Sequence, residues 1–161
     1  MQSSQSPLGV TMAKTRVLFI CSGNSARSQM AEAFLRGYAG DQFDVCSAGL
    51  EPQAIHPMTV EVMAERGFDL AGHRAKGLDE YLGKIHFGVL VTVCNRAKET
   101  CPIFPGGGTR LHWPFDDPAA ATGSEEERLA KFREVRDAIE MRISEWLRER
   151  SPQEQPASQT P

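Results

Sequence analysis

A cysteine and an arginine, separated by five residues, form the part of this chain best suited to chemistry. Cys21 ends an apolar run typical of a buried strand, a polar loop containing Gly23 follows, and a helical pattern begins near Arg27. Such an order directs several backbone N–H groups and a helix N-terminus at one point, where a tetrahedral oxyanion can bind. The planar guanidinium of Arg27 can bind two oxygens of that anion. Because the same positive field stabilises a thiolate, the pattern predicts that Cys21 is a nucleophile at neutral pH.

The spacing of Cys21 and Arg27 also occurs by chance, and a buried cysteine at a strand end is usually just a small apolar residue. The residues around the pair favour a site. Asn24 tolerates the left-handed backbone that a loop wrapped around an anion often needs. The predicted oxyanion-binding residues are Ser22, Gly23, Asn24, Ser25, Ala26, Arg27 and Ser28.

The alternation of apolar strand patterns and amphipathic helix patterns predicts how these residues are positioned. It indicates an α/β three-layer sandwich, with a four-stranded parallel sheet and helices on both faces. Ligands bind beyond the carboxyl ends of the strands in such folds, and Cys21, Cys94 and Asp117 each follow a predicted strand. The predicted strands are 17–21, 43–47, 87–93 and 110–113, with a turn at 48–49; the predicted helices are 27–38, 57–67 and a long one to about 148 that begins at a Ser124/Glu127 capping box.

Length and composition bound the remaining possibilities. The 161 residues are 40% hydrophobic, which suits a single catalytic domain, predicted at 15–150. The polar residues 1–14, which lack the core of a signal peptide, are expected to be a disordered extension, and the Pro-, Gln- and Ser-rich residues 151–161 a disordered tail. The net charge of -3 gives no reason to expect nucleic acid or a membrane surface as a partner. We therefore expect a cytoplasmic protein.

Four cysteines are present, and six residues separate Cys94 from Cys101. On a regular helix this pair would lie about 10 Å apart, beyond the Cα separation of about 7 Å that a disulfide tolerates. The segment between them is short and polar, so its helix is weak and a movable redox pair is physically reasonable. Two unrelated cysteines remain the alternative. The sequence contains no C-x-x-C pair and its histidines are scattered, so no metal site is expected, and Cys46 is expected to have no chemical role.

Two adjacent aspartates, Asp116 and Asp117, lie between prolines on a constrained loop. A carboxyl group held over the anion site could donate a proton to a leaving oxygen, although Asp-Pro is also common in ordinary turns. The preceding His112 and Trp113 are expected to be packing residues.

Taken together, these segments resemble the low-molecular-weight tyrosine phosphatase fold and, within it, the thioredoxin-coupled arsenate reductases. The phosphate-binding loop fits both branches, whereas the Cys94/Cys101 pair favours the reductases. Alanines at 119–121, after Asp-Pro, leave little aromatic surface for a phosphotyrosine. The matching segments are Cys-Ser-Gly-Asn-Ser-Ala-Arg-Ser-Gln-Met-Ala-Glu-Ala at 21–33, Ser-Ala-Gly at 47–49, Val-Thr-Val-Cys at 91–94, Cys-Pro at 101–102 and His-Trp-Pro-Phe-Asp-Asp-Pro at 112–118.

The resemblance implies a reaction without a cofactor. Cys21 would attack arsenate held by Arg27, and Asp117 would protonate the departing oxygen. Cys94 and then Cys101 would pass the oxidation on as disulfides, and thioredoxin would be the final reductant. The alternative is a phosphatase that hydrolyses phosphate monoesters through a phosphocysteine at Cys21. A third possibility is a non-catalytic anion-binding protein.

Two positions depart from the family pattern. Ala26 replaces the second cysteine that often precedes the loop arginine, which puts a protective disulfide with Cys21 in doubt. Some relatives bind a potassium or sodium ion through four side chains. Asn24, Glu32 and Ser47 match three of them, but the region of the fourth reads His-Arg-Ala-Lys at 73–76, so the sequence does not decide whether an ion binds.

Overall fold

A computed structural model describes residues 13–95, 99–100, 104–106 and 108–150. Most of the predicted extension, the predicted tail and Cys101 lie outside these ranges. Within the described ranges, no helix is both long and apolar enough to cross a membrane. The elements are β1 (Thr15–Cys21), α1 (Arg27–Ala39), β2 (Phe43–Gly49), α2 (Pro57–Ala64), β3 (Val89–Thr92), β4 (Thr109–His112) and α3 (Glu125–Arg150), with short 3-10 helices at Leu78–Glu80 and Pro118–Ala120.

The four strands form one parallel sheet in the order β2-β1-β3-β4. After β1 the chain adds β2 on one side and then crosses to add β3 on the other side. The strand order therefore reverses between β1 and β3, and a ligand site is expected at the carboxyl ends of these two neighbouring strands. Cys21 is the last residue of β1 and pairs with Gly49 of β2.

Alternate side chains of β1 face the two sides of the sheet. Val17 and Phe19 belong to the core cluster formed with α1, α2 and α3, whereas Leu18 and Ile20 belong to the cluster on the opposite face. The second cluster is completed by Phe87, Phe104 and the residues beside the 3-10 helix Leu78–Glu80. The three-layer α/β fold predicted from the sequence is confirmed, although the described cover of the second face consists of short elements.

The observed boundaries refine the predictions. β2 continues through the predicted turn at 48–49, because Ala48 and Gly49 still pair with Ile20 and Cys21. α2 ends at Ala64 rather than near 67, and a turn follows to Gly67, which has a φ of +84°. β3 is shorter than predicted.

Two sequence predictions in the region after β4 are confirmed. The capping box at the start of α3 forms as expected: Glu127 N donates to Ser124 Oγ at 3.0 Å and Ser124 N donates to Glu127 Oε1 at 2.7 Å. Trp113 is buried and its ring packs 6.2 Å from Phe19 and 5.9 Å from Trp146, so it is a core residue.

Candidate active site

The loop between β1 and α1 turns its carbonyl groups outward. Four of its carbonyl oxygens accept hydrogen bonds from backbone N–H groups of residues 50–56, which wrap around the loop. Because the C=O and the following N–H of a trans peptide point in opposite directions, the N–H groups of residues 22, 23, 24 and 26 turn toward the inside of the loop. The four bonds are Leu50 N to Cys21 O at 3.2 Å, Glu51 N to Ser22 O at 2.9 Å, Gln53 N to Gly23 O at 2.9 Å and His56 N to Ser25 O at 3.1 Å.

Cys21 lies at the base of this loop as a buried free thiol with 2% exposure. Its Sγ is 2.8 Å from Ser28 Oγ on the first turn of α1 and accepts a hydrogen bond from Asn24 N at 3.2 Å. The two contacts tie the sulfur to the start of α1 and to the loop. They also fix the direction in which the sulfur points.

Asn24 holds the loop in shape from the inside. Its φ of +54° confirms the left-handed backbone expected there. The Nδ2 group donates to Ser28 Oγ at 2.8 Å and to Ser47 Oγ at 2.9 Å. The Oδ1 atom accepts from Gln29 Nε2 at 2.9 Å and from Lys76 N at 2.7 Å. One buried amide therefore ties the loop to α1, to β2 and to the chain near residue 76.

The buried carboxylate of Glu32 continues this polar network. It accepts a hydrogen bond from Ser47 Oγ, and the ammonium of Lys76 lies 3.6 Å from its Oε1. Arg36 adds a second ion pair at 2.6 Å. The charge of Glu32 is thus balanced by side chains of the protein, and an ion at Asn24, Glu32 and Ser47 would share this carboxylate with Lys76.

Arg27 is almost fully buried, with 2% exposure. Its Nη1 donates to Phe115 O at 3.1 Å, and its Nη2 lies 3.8 Å from Asp117 Oδ2. Both Nη groups also donate to the carboxylate of Glu99, with Nη2 at 2.9 Å from Oε1. Burial alone would lower the pKa of the guanidinium, but Glu99, a Cys21 thiolate and Asp117 raise the pKa above its ordinary value. Arg27 is therefore a permanent cation at the site.

One donor of Arg27 is left over. Arg27 Nε has no hydrogen-bond partner, and no other side-chain nitrogen or oxygen buried in the described part of the chain is in that position. Buried donors in folded proteins are almost always satisfied, so an orphan donor in a site calls for an acceptor. An oxygen of a bound oxyanion would provide it.

The two adjacent aspartates have different roles in the structure. Asp116 accepts a hydrogen bond from Asn95 Nδ2 at 2.9 Å and pairs with Lys131 at 3.2 Å, so it anchors the loop. Asp117 Oδ1 caps the 3-10 helix by accepting from Ala119 N at 3.0 Å. Asp117 also lines a cavity of about 90 Å³. The other lining residues are Cys21, Ser22, Gly23, Ser25, Ala26, Arg27, Gln53 and Ala119.

Cys94 follows β3 at the same edge of the sheet. β3 pairs with β1, and Val93 N donates to Ile20 O at 2.9 Å, so the ends of the two strands lie side by side. Cys94 is fully buried and disulfide-bonded. The predicted partner Cys101 falls outside the described residues. Cys46 is a half-buried free thiol on β2, and burial raises its pKa.

Sequence reasoning missed Glu99 and Gln53. Gln53 belongs to the segment that wraps the loop, and Glu99 lies between Cys94 and Cys101. Glu99 and Arg27 are 72 residues apart in the sequence, so only the tertiary fold brings their side chains together. An acidic residue in an otherwise polar segment gave no signal that it would bind the loop arginine.

The sequence matches the low molecular weight phosphotyrosine protein phosphatase family over residues 16–156. An arsenate reductase of Halalkalibacterium halodurans is 44% identical over 132 residues, which cover 82% of this chain and 94% of that protein. An arsenate reductase of Bacillus subtilis is 42% identical over 130 residues, covering 81% and 93%.

Solved structures similar to this chain also include arsenate reductases. An arsenate reductase in the phosphate binding state superposes with a TM-score of 0.69 at 26% identity, over 85% of this chain and 99% of the other. The thioredoxin-dependent arsenate reductase of Corynebacterium glutamicum gives a TM-score of 0.62 at 28% identity, over 87% of this chain and 63% of the other. The chain belongs to the low molecular weight phosphotyrosine protein phosphatase family. The relatives just named are arsenate reductases.

Proposed function

We propose that this protein reduces arsenate to arsenite through Cys21, Cys94 and Cys101 and is regenerated by thioredoxin. The observation that carries the proposal is the pairing of β1 with β3, which puts Cys21 and Cys94 at the ends of neighbouring strands. The disulfide at Cys94, beside a free Cys21, supports a role for Cys94 in thiol–disulfide exchange. The names of the relatives support arsenate as the substrate.

In the first step the Cys21 thiolate attacks arsenic(V) bound in the loop. Asp117 gives its proton to the departing oxygen, which leaves as water. The inward N–H groups and Arg27 stabilise the charge on the remaining oxygens. Removing one such donor costs about 3–4 kcal/mol in comparable sites.

Two thiols then supply the two electrons that arsenic accepts. The Cys94 thiolate attacks the Cys21 sulfur, the S–As bond breaks with its electron pair on arsenic, and arsenite departs. Cys101 next attacks Cys94, which releases Cys21 as a thiolate and leaves a Cys94–Cys101 disulfide. A dithiol reductant restores both thiols. The C. glutamicum relative is thioredoxin-dependent, which supports thioredoxin as that dithiol.

The size of the cavity favours a small oxyanion. Its volume of about 90 Å³ is well below the roughly 300 Å³ at which sites for larger organic ligands begin. Ala119, rather than an aromatic residue, lines the wall next to Asp117. Hydrolysis of a phosphate monoester through Cys21 remains the second candidate, because the family is named for that reaction and the same three groups would perform it. The cytoplasmic location and the absence of a nucleic-acid partner stay predictions from composition.

Mass spectrometry after one arsenate turnover without reductant tests the cascade. A Cys94–Cys101 linkage with one equivalent of arsenite is expected. Cys94→Ser and Cys101→Ser should abolish thioredoxin-coupled turnover while hydrolysis of p-nitrophenyl phosphate persists, and Cys46→Ser is the matched control that should behave as wild type. Full turnover in both variants would reject the reductase proposal and leave the phosphatase.

A further inference from the structure

Glu99 places a carboxylate on the arginine that the substrate needs. Both Nη groups of Arg27 donate to it, and Ser22 Oγ of the loop donates to Glu99 Oε1 at 2.9 Å. Planar carboxylates and tetrahedral oxyanions are bound by the same donors of a guanidinium. Glu99 thus has the contacts of an internal anion at the oxyanion loop.

The charge of Glu99 is held in its ionised form. Burial alone would raise its pKa, but hydrogen bonds from Arg27, Asn95 N and Ser22 and the charge of Arg27 bring the pKa below its ordinary value. Its side chain is only 19% exposed, so water screens this ion pair weakly. The pair neutralises the cation that would otherwise attract a dianion, and Asp117 adds a second carboxylate 3.8 Å from Arg27 Nη2.

Two hydrogen bonds tie Glu99 to the residue that follows Cys94. Asn95, the residue after Cys94, donates its N–H to Glu99 Oε2 at 2.8 Å and accepts at its carbonyl from Glu99 N at 3.1 Å. Cys94 is disulfide-bonded in the state in which these contacts are seen. The contact between Glu99 and Arg27 is therefore seen in the oxidised form of the protein.

We propose that Glu99 is a redox-linked competitor of the oxyanion, which occupies Arg27 when Cys94 is disulfide-bonded and so weakens oxyanion binding to the oxidised protein. An oxidised molecule cannot reduce another arsenate, and a bound oxyanion would only hold it in an unproductive complex. Glu99 prevents that complex until a dithiol has converted the disulfide to two thiols with two electrons and two protons. This inference rests on the proposed function for its purpose, but its test needs no arsenate turnover.

Linkage gives the competition a second consequence. If the reduced protein binds an oxyanion about tenfold more tightly than the oxidised protein, the oxyanion must favour reduction by the same factor. For a two-electron couple a factor of ten corresponds to a rise of about 30 mV in the midpoint potential of the Cys94 disulfide. Saturating phosphate should produce this rise in the wild type and not in Glu99→Gln.

Calorimetric titration with inorganic phosphate, which cannot be reduced, is the direct test. The wild type, Glu99→Gln, Glu99→Ala and Glu51→Gln are each titrated with Cys94 disulfide-bonded, as verified by mass spectrometry, and again after reduction. Glu51 is the matched control. Its backbone N–H donates to Ser22 O, but its carboxylate is exposed and makes no contact with Arg27 among the described residues. We expect both Glu99 variants to bind phosphate about tenfold more tightly than the wild type in the oxidised state and within twofold of it after reduction.

Three results would overturn the inference. Equal affinities of the oxidised wild type and the oxidised Glu99 variants would show that Glu99 does not compete. If the Glu99 variants gain the same phosphate affinity in both redox states, the competition does not depend on the disulfide at Cys94. If Glu51→Gln gains as much affinity as the Glu99 variants, the effect comes only from the change in net charge. If the phosphate affinities are as predicted but the wild type does not turn over arsenate, the proposed function is refuted and the competition by Glu99 stands.

Discussion

The loop after β1 and the segment after β3 begin at neighbouring strand ends but are held by different means. The loop is fixed by backbone hydrogen bonds from residues 50–56 and by the buried side chain of Asn24, which is fully enclosed. The described residues after Cys94 meet the loop at a partly exposed position. Glu99 contacts Arg27 and Ser22 there with its side chain, and Thr100 O accepts from Ser22 Oγ at 3.2 Å. Backbone hydrogen bonds hold the loop itself, whereas the ion pair of Glu99 with Arg27 can be exchanged for another anion.

This difference matches the chemistry proposed for each side. The nucleophile must keep one geometry while charge develops on the oxyanion, so a preorganised loop lowers the barrier. A relay cysteine must reach first one sulfur and then another, so its surroundings must be able to rearrange. Arg27 is the residue that the two sides share.

The largest effect is expected from Arg27→Lys, which removes the shared group while keeping its charge. Lysine cannot present two parallel donors to an oxyanion. We expect kcat/KM for arsenate to fall about 100- to 1,000-fold, measured in a thioredoxin-coupled assay. Arg74→Lys is the control, because Arg74 pairs with Glu80 on the surface and should lose nothing. Near-normal activity of Arg27→Lys would remove the guanidinium from the mechanism.

An asparagine-to-alanine substitution in the loop after β1 and another in the segment after β3 compare how firmly each is held. Asn24→Ala deletes four hydrogen bonds of a buried amide and leaves alanine at a φ of +54°. We expect a loss of about 3 kcal/mol in the free energy of unfolding by urea. Asn95→Ala removes a part-buried amide that donates to Asp116, and it should cost less than about 1 kcal/mol. Similar losses in the two variants would contradict the comparison.

A smaller effect is expected where the loop meets β2. A Cβ at Gly49 would lie 2.7 Å from both Asn24 N and Ser22 O, and backbone atoms cannot move aside without displacing the loop. Gly49→Ala should therefore cost about 2 kcal/mol of stability and lower kcat/KM about tenfold. Gly72→Ala is the control, since nothing lies within 4 Å of its Cβ. Wild-type kinetics for Gly49→Ala would show that the loop is more adaptable than its contacts indicate.

The sequence predicted the loop far better than the segment after β3, and the physical reason is distance along the chain. The strand, the left-handed Asn24 and the start of α1 at Arg27 depend on local backbone preferences and hydrophobic periodicity, which a sequence records directly. The contact of Glu99 with Arg27 depends on the crossing of the chain from β2 to β3. No local pattern encodes it. For the same reason adjacent aspartates could not be told apart until Asp116 was found bonded to Asn95 and Lys131.

The smallest effect concerns pH, and it separates the Glu99 contact from the rest of the fold. The pKa of Glu99 lies below its ordinary value of 4.5, so the stability it contributes is complete above pH 4.5 and is lost as the pH falls through the lowered pKa. With Cys94 disulfide-bonded, the difference in unfolding free energy between wild type and Glu99→Gln should be constant at neutral pH and narrow below pH 4.5.

After reduction of Cys94 this narrowing should disappear, because Glu99 then no longer holds Arg27. Glu65 is the internal standard for the measurement. Hydrogen bonds from Arg133 and Arg136 lower its pKa to about 2, where the end of α2 meets α3. The difference between wild type and Glu65→Gln should therefore narrow between pH 4.5 and about 2 in both redox states. If the difference between wild type and Glu99→Gln also narrows in the same way in both redox states, the contact of Glu99 with Arg27 does not depend on the disulfide. The loop after β1 and the segment after β3 would then not be coupled.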